Sequence, residues 1–337
     1  MDARPVAFIT GIAGQDGSYL AELLLTLGYT VHGLVRKPSR GFPANLAHLQ
    51  GPLHLWPGDL LDQARLTQLL YQIRPREIYH LAAMSHVVHS QVQPQLTTEV
   101  NALGTMRLLE AIRQAVPKSR FFFASSSELF GNPATSPQNE ETPFQPRNLY
   151  GTSKLLAHQA VVQAREQYQH YASCGILYNH ESPRRQSAFV TRRVCEGVAR
   201  IVRGETRELK LGNLQAMRDW SFAADTVKAM WCMLQQDVAE DFVLGSGELH
   251  RVEELVAVAF AVVDLDWQDW VVMEPELVRQ EPAVPLCADP RKAQTHLGWR
   301  TTISFNQLVQ LLVEAELSRT EPATILSLPA RQLARSA

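Results

Sequence analysis

Four residues near the middle of this 337-residue chain have the types and spacing for proton-transfer chemistry. Tyr150 and Lys154 stand four apart in a Tyr-Gly-Thr-Ser-Lys run, so on a helix they share one face. A free phenol ionises near pH ~10, and a neighbouring ammonium favours its phenolate, giving a base useful near neutral pH. Such a pair can take the proton from a substrate hydroxyl while the carbon that bears it gives hydride to a nicotinamide. Upstream, Ser125-Ser126-Ser127-Glu128 follows an apolar run. Ser126 offers a hydroxyl that can share a proton with a substrate oxygen, and Glu128 adds a carboxylate that simple hydride transfer does not require. Read alone, the run fits a capping serine cluster with a solvated glutamate equally well.

These side chains need elements to position them. Apolar runs at 6–10, 30–34, 77–81, 120–124 and 173–178 alternate with helical spacing at 18–27, 62–71, 98–115 and 151–169. The alternation predicts an α/β fold with a doubly wound parallel sheet, a Rossmann arrangement. Its sites belong at the carboxyl ends of the strands, where residues 125–128 fall. Gly11-Ile12-Ala13-Gly14-Gln15-Asp16-Gly17 joins the first strand to the first helix, its glycines spaced G-x-x-G-x-x-G. Missing side chains there let the backbone approach a pyrophosphate, whose charge meets the helix N-terminus. The second strand ends at Arg36 and Lys37 with no carboxylate, which suits a ribose 2′-phosphate and favours NADP over NAD. Asp59 and Leu60 follow a short strand and could hold an adenine edge. Leu81, Ala82, Ala83, Met84 and Ser85 follow another and could let the chain pass close to a ligand. Plain strand-end turns would read the same.

After Tyr178 the rhythm breaks into a polar, Arg-rich stretch at 179–193. The expectation is a cofactor domain at 1–180 and a smaller, mainly substrate-binding α/β region at 181–320. Segments around 213–247 are expected to return to the first domain, and 321–337 to be a loosely ordered tail. The second region should hold helices near 189–203, 226–234 and 305–317, with a turn at Arg218-Asp219-Trp220.

Lys and Arg number 32 against 34 Asp and Glu, a net charge of -2, which leaves no whole-chain footprint for nucleic acid or an anionic membrane. The longest apolar run, 255–263, is too short for a bilayer, which needs about 20 residues. The chain start lacks the pattern of a signal peptide. Cys174, Cys195, Cys232 and Cys287 lie far apart with no Cys-x-x-Cys pair, as thiols of a reducing compartment do. His80, His86 and His89 come close together in sequence, but no set of carboxylate or thiolate partners that would complete a metal site is evident beside them. These observations point to a cytoplasmic protein with no metal site.

The glycine pattern and Tyr150-x-x-x-Lys154 together resemble the extended short-chain dehydrogenase/reductases that modify nucleotide sugars. Within residues 5–318, the strings TGIAGQDGSYLAELLL, ASSSELFG, PQNEETPFQPRNLYGTSK, GILYNHESPRR, FVTRR and LGNLQAMRDW are similar to the GDP-mannose 4,6-dehydratase family. The resemblance implies a hydro-lyase that uses NADP to convert GDP-mannose to GDP-4-keto-6-deoxy-mannose. C4 is oxidised, water is lost across C5 and C6, and the hydride returns to C6. Tyr150 would be the C4 base, Lys154 its partner and nicotinamide-ribose ligand, and Glu128 the acid/base at C5 and C6. Ser126 stands in the family's usual threonine place.

For the cofactor the resemblance marks residues 11–17, Arg36, Asp59, Leu60, residues 81–85, Tyr150, Lys154, His180 and Arg185. For the nucleotide sugar it marks Ser85, Ser126, Glu128, Asn179, Val190, Arg193, Arg218 and Arg279. The chain departs from the family pattern at Met84, where glutamine is usual, and at Pro282 and Val284, which replace two carboxylates. A homodimer or homotetramer, assembled through the helices at 98–115 and 151–169, is implied as well. Neighbouring readings are a GDP-heptose dehydratase, an epimerase, a 4-keto reductase or a non-catalytic NADP-binding sensor. The reductase needs no Glu128, and the sensor does not need Ser126, Glu128, Tyr150 and Lys154 together.

Overall fold

Apolar strands and capped helices follow one another along the chain of the computed structural model, which describes residues 4–36, 42–49, 51–278 and 283–319. The tail at 321–337 lies outside the described residues, as do Lys37, Arg279 and Pro282. In order come β1 Val6–Thr10, α1 Gln15–Thr26, β2 Thr30–Val35, β3 Leu53–Pro57, α2 Gln63–Ile73, β4 Glu77–His80, α3 Val87–Val92, α4 Pro94–Thr98, α5 Gly104–Ala115, β5 Arg120–Ala124, α6 Leu149–Tyr168 and β6 Ala172–Leu177. β7 Asn179–Glu181, α7 Val190–Val202, β8 Leu209–Leu211, β9 Met217–Phe222, α8 Ala223–Met233, β10 Phe242–Leu244, β11 Leu249–Arg251, α9 Val252–Ala261, β12 Val271–Met273, α10 Arg291–Leu297 and α11 Phe305–Leu317 complete it.

Seven strands form one sheet in the order β10-β6-β5-β4-β1-β2-β3, every neighbouring pair parallel. Alternate side chains feed two cores. Ala7, Ile9 and Phe122 pack on one face with Leu20, Leu24 and Met230. Phe8, Phe121 and Phe123 pack on the other with Leu66, Leu108 and Val161. Both faces are covered, which is why the strands read as continuous apolar runs rather than alternating ones. The chain turns from building outward through β2 and β3 to building the other way through β4 and β5. Ligands of such sheets bind at that switch, beyond the carboxyl ends of β1 and β4.

The chain divides into two compact units. The first takes the residues through His180, Asp219–Glu248, and the described residues from 283 to Thr302; the second takes Glu181–Arg218, the described residues of 249–281, and those from Ile303 onward. Residues 283–302 thus join the sheet unit, although the sequence reading put them in the second region. Burial explains this, because Ala293 and Trp299 pack into the core with Leu20 and Met230. In the second unit α7, α9 and α11 pack together, burying Val194, Val198, Leu255, Phe260, Leu308 and Leu312.

Other expectations need correcting. Residues 218–220 lie within β9 rather than in a turn. Asp219 is fully buried there, accepting from the backbone N–H groups of Ser246, Gly247 and Ala288. The helix expected over 98–115 is broken by a π-helical stretch, Glu99–Leu103. Among the described residues no helix is long and apolar enough to cross a membrane.

Candidate active site

The site is built where β1, β4 and β5 end. Gly11 follows β1 with φ +74°, and a Cβ there would lie 2.7 Å from the Ala82 nitrogen. Only glycine lets the turn lie against the segment after β4. Gly14, at the N-cap of α1, brings no side chain to the helix terminus. A bare backbone turn leading into a twelve-residue helix fits the pyrophosphate of a dinucleotide. Ile12 is fully buried, which leaves its backbone alone facing a ligand, and Gly17 lies inside α1 rather than in the turn. From the segment after β2, the Asn45 amide donates to Ala13 O at 3.1 Å and steadies the turn.

The segment at 81–85 is held from behind. Asn101, in the π-helical stretch, accepts from Met84 N at 2.8 Å and donates to Met84 O at 3.2 Å. Its amide also donates to Ser153 Oγ at 3.1 Å, which ties this segment to α6. His80 lies beneath. The Thr105 hydroxyl donates to Asn101 O, so it accepts from His80 Nε2–H, and His80 Nδ1 then accepts from the Thr10 hydroxyl at 2.7 Å. Burial, with the Lys154 ammonium second, pushes His80 down to about 3 and keeps it neutral.

Tyr150 and Lys154 sit one turn apart on α6, 8% and 3% exposed. Lys154 Nζ donates to Ala124 O at 2.6 Å and lies 4.6 Å from the Phe123 ring centre. Burial pushes this amine down to about 7. Ser126 caps the short turn that follows β5, accepting from Glu128 N at 3.2 Å. The capping reading of the serine is therefore correct, whereas Glu128 is half-buried and its Oε2 accepts from Asn148 Nδ2 at 2.6 Å.

Of the other expected residues in this unit, His180 and Asp16 come together, with Nε2 to Oδ2 at 2.9 Å. Gln15 donates to both Asp16 and the His180 carbonyl. Arg36 is exposed at the end of β2, and no carboxylate stands in the described residues beside it. Asp59 spends Oδ1 on Leu61 N. The Leu60 side chain packs in the core with Leu34 and Leu66, so only its backbone could meet a nucleotide. Asn179 and Ser85 are half-buried and exposed respectively.

In the second unit, Arg185 Nε lies 3.2 Å from Glu181 Oε2, with its guanidinium 3.6 Å from the Phe189 ring centre. Val190 opens α7, Arg193 is half-buried on it, and Arg218 donates to Met217 O. Arg192 was missed by sequence reasoning. It is held by Glu316 and donates to Pro183 O and Arg185 O at 3.0 and 2.9 Å, which fixes the backbone under Arg185.

Among the described residues one group offers metal-type donors close together: His158, Cys174 and Asp241. Arg165 already takes both Asp241 oxygens at 2.7 and 3.0 Å, and burial pushes the Cys174 thiol up. A guanidinium-paired carboxylate beside a protonated thiol is a buried ion pair, not a cation site.

A doubly wound sheet with a glycine turn at its switch and a Tyr-x-x-x-Lys pair on the helix after β5 defines a nucleotide-dependent enzyme of the epimerase/dehydratase fold. Two solved structures share that fold. RMD from Pseudomonas aeruginosa, complexed with NADPH, is 23% identical with a TM-score of 0.79, covering 94% of this chain and 100% of its own. Thermus thermophilus UDP-glucose 4-epimerase, complexed with NAD, is 24% identical with a TM-score of 0.80 over the same shares. The family model for GDP-mannose 4,6 dehydratase matches residues 8–312. GDP-mannose 4,6 dehydratase 1 of Arabidopsis thaliana is 43% identical over 96% of this chain and 93% of its own length. The chain belongs to the GDP-mannose 4,6-dehydratase family.

Proposed function

We propose that this chain catalyses the NADP-dependent dehydration of GDP-mannose to GDP-4-keto-6-deoxy-mannose. The observation that carries the reading is a second base. Glu128 is anchored by Asn148 at 2.6 Å, and Asn148 caps the helix that bears Tyr150 and Lys154. Hydride transfer alone needs the tyrosine and lysine; oxidation followed by elimination needs a carboxylate as well.

When bound, NADP would supply a hydride acceptor for C4 of the hexose and a hydride donor for C6. Tyr150 removes the O4 proton, with the Lys154 ammonium favouring the phenolate. Ser126 shares a proton with the C4 oxygen. The C4 ketone acidifies the C5 proton, which Glu128 takes. Glu128 then protonates the departing C6 hydroxyl, which leaves as water. C5 regains a proton equivalent to the one that Tyr150 took from O4, so that overall the sugar loses one water.

Exposed Arg36 without a carboxylate beside it supports the 2′-phosphate of NADP. The remaining cofactor contacts in this reading are residues 11–17, Asp59, the Leu60 backbone, residues 81–85, Lys154, His180 and Arg185. Ser85, Asn179, Val190, Arg193, Arg218 and Arg279 serve the nucleotide sugar, the arginines as bidentate donors to its diphosphate. In this reading most cofactor contacts belong to the sheet unit and most nucleotide-sugar contacts to the second unit. We place the protein in the cytoplasm, with its four thiols unpaired. It would act there as a homodimer or homotetramer through α5 and α6, where Leu156 and Tyr168 are exposed.

Incubation with GDP-mannose and catalytic NADP⁺, followed by NMR of the sugar, tests the reading. A C6 methyl and a C4 ketone are expected without net NADPH. Unchanged sugar removes GDP-mannose as the substrate.

A further inference from the structure

Both functional ends of the Asn148 side chain are engaged. Its Oδ1 accepts from Gly151 N at 2.8 Å and caps α6, while its Nδ2 donates to Glu128 Oε2 at 2.6 Å. The planar amide therefore spans the helix that carries Tyr150 and the turn that carries Glu128. The backbones close on each other at the same place. A Cβ on Gly151 would lie 2.5 Å from Glu128 O, and Gln145 N donates to Leu129 O at 2.9 Å. The loop entering α6 is thus strapped to the turn after β5.

We propose that Asn148 is a positioning residue that holds Glu128 in place and fixes its placement relative to Tyr150. Two consequences follow from one amide. The N–H donor on Oε2 holds the carboxylate of Glu128 in one place on its turn. The cap holds that donor on the first turn of α6, so the two bases of the reaction move together. The inference rests on the dehydration reading, since it concerns the base that removes the C5 proton.

Two variants test it against wild-type protein assayed with GDP-mannose and NADP⁺. Asn148→Ser keeps a good N-cap but is too short to reach Glu128. Its dehydration kcat should fall about tenfold to a hundredfold with KM unchanged, as misplaced catalytic groups do. In a single turnover, reduced nicotinamide should accumulate, because oxidation outruns elimination. Asn148→Asp keeps the cap but sets a second carboxylate in place of the donor, so Glu128 loses its anchor and the same fall in kcat with KM unchanged, with reduced nicotinamide accumulating in a single turnover, is expected.

Wild-type protein that leaves GDP-mannose unchanged overturns the dehydration reading, and this inference with it. Turnover by wild type with the same kcat and KM in Asn148→Asp overturns the role of Asn148 alone. So does a folded Asn148→Ser that keeps wild-type kcat. If Asn148→Ser fails to fold, the kcat and KM of Asn148→Asp decide.

Discussion

Lys154 reaches back from α6 to the last residue of β5, its Nζ donating to Ala124 O at 2.6 Å. Ser126 and Glu128 follow Ala124 by two and four residues, so this bond registers the helix of Tyr150 against the strand end that leads to the serine and the carboxylate. It also leaves an amine with almost no water around it, which burial pushes down to about 7.

That depression gives a signed pH dependence. The unfolded chain holds the Lys154 proton up to its ordinary 10.5, the folded chain only to about 7. Between those values the unfolded state binds more protons, so folding stability from this group rises with pH. Urea unfolding of cofactor-free wild type and Lys154→Met should show wild type gaining on the variant from about pH 7 towards 10. Parallel curves would contradict the burial of the charge.

The two bases should separate the steps. Tyr150→Phe should abolish reduction of NADP⁺ and exchange of the C5 proton together. Glu128→Gln keeps the acceptor for Asn148 and should leave cofactor binding intact while slowing water loss by about 10²–10⁴. Stopped-flow absorbance of the nicotinamide, with deuterium exchange read by NMR, distinguishes them. Normal turnover in Glu128→Gln means that another group removes the C5 proton.

Gly11→Ala meets a positive φ and the Ala82 backbone at once. It should cost about 1–3 kcal/mol of stability. Displacement of residues 81–82 should also weaken NADP binding. Calorimetry of folding and of cofactor binding reads both, and an unchanged protein would contradict the close approach.

Asn101→Leu leaves Met84 N, Met84 O and Ser153 Oγ without their partner. Each buried group so stranded costs about 1–3 kcal/mol, and the segment beside the glycine turn loosens. Lower thermal stability and weaker cofactor binding are expected together. Loss of stability with unchanged affinity would separate the two roles.

The placement of Tyr150 and Lys154 one turn apart on a helix, and of the glycines between β1 and α1, was legible because a helix or a turn converts short spacings directly into geometry. The sheet was legible because burial on both faces makes its strands apolar throughout. Asn101 and Asn148 were not, since each acts through partners 17 to 52 and 20 residues away. An asparagine set between Val100 and Ala102-Leu103 was the available signal for the first. Asp219 read as part of a turn because buried carboxylates are uncommon in strands, and only the distant N–H groups of 246, 247 and 288 make one tolerable. Residues 283–302 gave no sign of returning to the sheet unit, because Trp299 finds its core across the fold.

The central claim is that one hydride leaves C4 and comes back to C6 of the same sugar under two bases. GDP-mannose carrying deuterium at C4, incubated with this protein and catalytic unlabelled NADP⁺, tests it most directly. The account predicts a 4-keto product whose C6 bears a CH2D group, with no deuterium left in the cofactor pool. A C4 ketone with an intact C6 hydroxyl and deuterium in NADPH, or an unchanged sugar, would contradict it.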